Sequence, residues 1–78
     1  MLKYKTLTEK IIGCAYRVYN KMGFGFQESV YENSLLIELK KVGLTAESQK
    51  LINVFYDGEI VGEFRADVIV EDLIILEL

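Results

Sequence analysis

Near Leu44 the hydrophobic period of this 78-residue chain changes from helical to extended, and that switch splits it into two unlike halves. Before it, Leu7, Ile11, Ala15, Val18 and Met22 recur at helical spacing and predict a helix from about Leu7 to Met22. Thr6 and Glu9 have capping-box spacing at its start, and Lys10, Arg17 and Lys21 fall on its far side. Gly23 ends it, leaving Gly23-Phe24-Gly25 as a tight loop. A second helix is expected from about Phe26 to Val42, stopped by Gly43. Leu35, Leu39 and Val42 form one stripe on it, and Val30 and Ile37 a second, so it should be covered on more than one side. After Leu44, Leu51 to Tyr56 reads as a strand and Asp57-Gly58 as a two-residue hairpin turn. Glu59 to Val70 reads as a longer strand with Gly62 at a bulge. Glu71-Asp72 opens another turn, and Leu73 to Leu78 is a third strand. The expected fold is α+β, two N-terminal helices followed by a three-stranded antiparallel meander, in one domain over residues 1–78.

Composition narrows the chemistry. The chain has no histidine and one cysteine, Cys14. Imidazole bases, His-ligated metals, an intrachain disulfide and Cys-based zinc sites are thereby excluded. Cys14 lies beside the apolar stripe and reads as a buried, inert thiol. Carboxylate chemistry remains, which suits magnesium, manganese or calcium. The net charge of -3 weighs against a dedicated nucleic-acid binder, because phosphate contacts come from Lys and Arg. No stretch reaches the ~20 apolar residues of a membrane span. The start, Met1-Leu2-Lys3-Tyr4-Lys5, lacks a signal-peptide core, and a cytoplasmic location is expected. Tyr4, Tyr16, Tyr19 and Tyr56 read as amphipathic residues at the core edge.

Three acids stand where the periodicity expects core: Glu28, Asp67 and Glu77. Glu28 is seven and eleven residues before Leu35 and Leu39 and shares their stripe. A carboxylate among branched apolar residues costs desolvation energy unless something pairs with it, and a divalent cation is one such partner. The register of the last hairpin decides whether Asp67 and Glu77 cooperate. A two-residue loop at Glu71-Asp72 would turn them to opposite faces. A three-residue loop, Glu71-Asp72-Leu73, pairs Val70 with Ile74 and sets Asp67 opposite Glu77. Each acid also has a purely structural explanation. Asp67 could pair with Arg65, Glu77 could be a solvated chain end, and Glu28 could favour a helix N-terminus.

Gly25-Phe26-Gln27-Glu28-Ser29-Val30-Tyr31 resembles the motif of the GxxExxY proteins. Arg65-Ala66-Asp67, the short apolar hairpin and Ile75-Leu76-Glu77-Leu78 resemble that family's second half. The similarity runs from about Glu9 to Leu78 and places the chain with the PD-(D/E)xK nuclease-like superfamily. The resemblance implies metal-dependent phosphodiester hydrolysis of nucleic acid, with Mg or Mn as cofactor. Asp67 and Glu77 would be the catalytic, metal-binding acids and Glu28 a third ligand. Gly25, Arg65 and Tyr31 would support them, with Tyr31 packed beside Glu28 or bonded to it. The superfamily motif also implies a lysine two residues after Glu77, and a further helix and strand. This chain therefore resembles the front part of a restriction-endonuclease-like core, and is expected to be inactive in this short form. The apolar third strand would offer a free edge for a homodimer or a completing partner chain. The competing expectation is a non-catalytic interaction module that uses that edge.

Overall fold

The computed structural model describes residues 4–78; the opening Met1-Leu2-Lys3 lies outside the described residues. Two helices precede three strands: α1 (Lys5–Met22), α2 (Glu28–Lys41), β1 (Ala46–Tyr56), β2 (Glu59–Val70) and β3 (Ile74–Leu76). The strands form one antiparallel sheet in the order β1-β2-β3, and the α+β meander is as expected. The molecule measures 43 × 33 × 18 Å. Its least extent is that of one helical layer, about 10 Å across, laid on one sheet.

The glycines end the helices as anticipated. Gly23 takes φ 70°, and its N–H closes α1 onto the Tyr19 carbonyl at 2.9 Å. Gly43, at φ 81°, completes a Schellman motif: Gly43 N–H reaches Lys40 O and Leu44 N–H reaches Leu39 O, each at 3.0 Å. The start of α1 differs from expectation. Tyr4 is the N-cap and Thr8 N–H bonds Tyr4 O, so Thr6 lies inside the first turn, and among the described residues no side-chain hydrogen bond caps the helix. The capping-box pair Thr6–Glu9 is not used.

The core joins Ile11, Cys14 and Val18 of α1, Leu35 and Leu39 of α2, and Val68 and Val70 of β2. Cys14 is fully buried, as read from the sequence, while Ala15 of the expected stripe is exposed. Leu7, Ile11, Val18 and Met22 face the core as expected, with Cys14 buried in place of Ala15. Arg17 and Lys21, however, do not face away from the molecule. They reach across to Glu38 of α2 at 3.0 and 3.3 Å, and Lys41 joins them at 3.5 Å. Arg17 Nη2 also donates to Cys14 Sγ at 3.2 Å. The second stripe of α2 is not covered, since Ile37 is 59% exposed. Tyr4, Tyr16, Tyr19 and Tyr56 are all exposed, not core-edge.

The sheet is longer than its apolar sequence. β1 starts five residues before Leu51, at Ala46, because β2 pairs with it from Val70 down to Glu59. Asp57 (φ 50°) and Gly58 (φ 79°) make the hairpin turn, with both central residues left-handed. The bulge falls beside Gly62: Val54 pairs Gly62 and Phe55 pairs Ile60, so Val61 is the extra residue. Leu73 and the last two residues lie outside β3, which is shorter than expected. β3 lies at the edge of the sheet, as expected, and Ile75 is 44% exposed.

Candidate acidic site

Two loops bring the site together. The β2–β3 connection is the three-residue loop Glu71-Asp72-Leu73, and Val70 pairs with Ile74. Glu71 and Asp72 both adopt positive φ, near 55°. The loop holds because Thr45 N–H donates to Glu71 Oε2 at 2.6 Å, and Asp72 accepts from Lys50 at 2.9 Å. The ladder runs to Val68 opposite Leu76, and one step further sets Asp67 opposite Glu77. The second loop, Gly23 to Gln27, enters α2 at Glu28. Tyr31 fastens it, donating its hydroxyl to Gly23 O at 2.8 Å and accepting from Phe26 N–H at 3.3 Å. Gly25, at φ 97°, supplies the left-handed turn within it.

Asp67 is half-buried, whereas Glu28 and Glu77 are exposed. Glu28 therefore sits in the first turn of α2 with the helix dipole, not in the core its stripe suggested. Asp67 is the hub. Its Oδ2 accepts from the Leu78 N–H at 2.8 Å. That backbone donor, chiefly, holds the Asp67 carboxyl below the ordinary range against partial burial. Glu77, Glu28 and Gln49, in that order, lower it further. Glu77 moves the other way: burial, then the adjacent Asp67 charge, push it up, and Glu28 adds to this. The two shifts are opposite in sign, as expected of neighbouring carboxyls of which one ionises more readily than the other. Among the described residues, however, no three such side chains are grouped so as to hold a metal ion.

Arg65 forms no ion pair with Asp67 among the described residues. Its Nη1 instead donates to the Gln49 carbonyl at 3.4 Å, across the β1–β2 pair. Tyr31 holds the loop rather than bonding Glu28. Two neighbours of the site were not legible in advance. Glu32 of α2, only 8% exposed, accepts from Gln49 Nε2 at 3.0 Å. Its spacing signalled this, since Glu28, Glu32, Leu35 and Leu39 lie on one helical stripe. Gln49 itself carried no sequence signal.

Beside the acids lies an open cleft of about 610 Å³, lined by Val18, Tyr19, Phe24, Phe26, Tyr31 and Leu35, with Glu28 and Leu78. Its aromatic rings meet edge-on, Tyr19 with Phe24 at 5.2 Å and Phe26 with Tyr31 at 6.2 Å between centroids. Among the described residues no helix is long and apolar enough to cross a membrane. A family model of the PD-(D/E)XK nuclease superfamily matches residues 5–78. No curated protein and no solved structure matches the chain.

Proposed function

The chain belongs to the PD-(D/E)XK nuclease superfamily, and we propose that it is a GxxExxY-type domain built for divalent-metal-dependent hydrolysis of phosphodiester bonds in nucleic acid. The superfamily is typically metal-dependent. The donor chemistry suits a hard cation, with carboxylates and no imidazole, although the three side chains are not gathered into a metal-holding group among the described residues. Asp67 and Glu77 would hold Mg²⁺ or Mn²⁺, with Glu28 as the third oxygen donor. A cation so bound polarises a phosphoryl oxygen and lowers the pKa of a bound water. The protein's own contribution is positional. Leu78 N–H occupies one Asp67 oxygen and leaves the other, Oδ1, for a ligand. Glu77 would bring the second carboxylate, opposite Asp67 in the β2–β3 register. Tyr31 fixes the loop from which Glu28 projects.

The carrying observation is the β2–β3 register, whose continuation sets Asp67 opposite Glu77. Isothermal titration of Mn²⁺ into the wild-type chain and Asp67→Asn tests it. Binding that disappears in the variant supports the cation site; no binding in the wild type removes it. A second reading is favoured by the free outer edge of β3, where Leu73 is 54% and Ile75 44% exposed. A non-catalytic interaction module would use that edge to pair with a second copy or a completing partner chain. Light scattering at rising protein concentration should then show a homodimer, and a monodisperse monomer throughout would contradict it.

A further inference from the structure

Gln49 departs from its strand. It lies within β1, yet its φ is 53°, a left-handed conformation uncommon for a residue with a long side chain. The ladder runs through Ser48 opposite Val68 and Lys50 opposite Ala66 but skips the pair between them, which is Gln49 opposite Asp67. A sparsely populated backbone state persists only where its surroundings over-determine it. Here two groups do so. Arg65 holds the Gln49 carbonyl at 3.4 Å, and the buried Glu32 carboxylate holds Nε2 at 3.0 Å. An amide nitrogen carries two hydrogens, so one bond to Glu32 leaves a second donor free.

We infer that Gln49 is a positioning residue for Asp67: its side-chain amide, anchored on Glu32 of α2, bridges to the Asp67 carboxylate and fixes its orientation for cation binding. This rests on the cation-site reading above. The bridge ties the first turns of α2 to β2 through β1, so the helix and strand that carry Glu28 and Asp67 are held in one frame. It also gives Arg65 a role, as the clamp on the backbone that presents the amide.

The test separates the bridge from the cation site. In metal-free, ¹⁵N-labelled chain, the Gln49 side-chain amide resonances should move in Asp67→Ala and in Glu32→Gln. In Mn²⁺ titration, Gln49→Gly should weaken binding about tenfold, the usual effect of removing a group that orients a ligand. Glycine accepts the positive φ, but the buried Glu32 carboxylate loses its Gln49 donor, so the thermal midpoint should fall and binding is read well below it. Gln49→Asn, which keeps an amide but shortens its reach, should also bind weakly. Unmoved Gln49 resonances in Asp67→Ala overturn the bridge. Wild-type Mn²⁺ affinity in Gln49→Gly overturns the positioning role. Absence of Mn²⁺ binding in the wild type would instead defeat the cation-site reading, while moved amide resonances would still support the bridge.

Discussion

Tyr31→Phe removes one oxygen atom and should unfasten the loop that delivers Glu28. The hydroxyl makes two bonds, to Gly23 O at 2.8 Å and from Phe26 N–H at 3.3 Å. The second is long and exposed, so water replaces it readily. The first is short and partly buried. A neutral hydrogen bond contributes about 0.5–1.5 kcal/mol net, so the expected loss is ~1 kcal/mol. The ring remains, with its edge-on contact to Phe26, so no cavity opens. In a domain of this size that loss lowers the thermal midpoint by roughly 4–8 °C. Circular dichroism melting would measure it. The functional counterpart is weaker Mn²⁺ binding, because Glu28 follows the released loop. A midpoint shift below about 1 °C, with Mn²⁺ affinity unchanged, would refute the reasoning that Tyr31 is the fastener.

The two site carboxyls should respond oppositely. Glu77 is raised above its usual 4.5, so its contribution to stability is present below that pH and lost as pH rises through the raised value. Glu77→Gln should therefore melt higher than wild type at neutral pH, with the gain vanishing in acid. Asp67 is lowered below its usual 3.8, so its contribution is present above that pH and lost as pH falls. Asp67→Asn should melt lower at neutral pH; melting curves from acid to neutral check both signs. Leu39 is fully buried between the helices and β2, and Leu39→Ala should cost about 2–5 kcal/mol in urea unfolding. A 78-residue domain has roughly 4–12 kcal/mol in all, so this variant should be marginal or unfolded; a loss below ~1 kcal/mol would mean the core is elsewhere.

The elements governed by local chemistry were legible in the sequence. Gly23 and Gly43 stop their helices because only glycine takes the left-handed terminal position without cost. Asp57-Gly58 makes its hairpin for the same reason. The three-residue loop was legible as the register that would bring Asp67 and Glu77 together. What the sequence hid depends on distant partners. β1 extends back to Ala46 through the polar run Glu47-Ser48-Gln49-Lys50, because β2 supplies its hydrogen bonds. Glu38 is only 6% exposed because Arg17, Lys21 and Lys41 enclose it, an arrangement that depends on how α1 packs on α2. Glu28 shares the stripe of Leu35 yet is exposed, because the stripe runs out of core at the first turn. The left-handed Gln49 has no sequence signature, since its conformation is set by Glu32 and Arg65.

The central claim is that Asp67, Glu77 and Glu28 act as one cation site. The most direct measurement is paramagnetic broadening of backbone amide resonances by substoichiometric Mn²⁺ in the ¹⁵N-labelled chain. The account predicts early loss of the signals of Asp67, Glu77, Leu78 and Glu28, while the exposed acids Glu47 and Asp72 around Lys50 keep theirs. Broadening centred on Glu47 and Asp72, or spread evenly over all the acids, would contradict it.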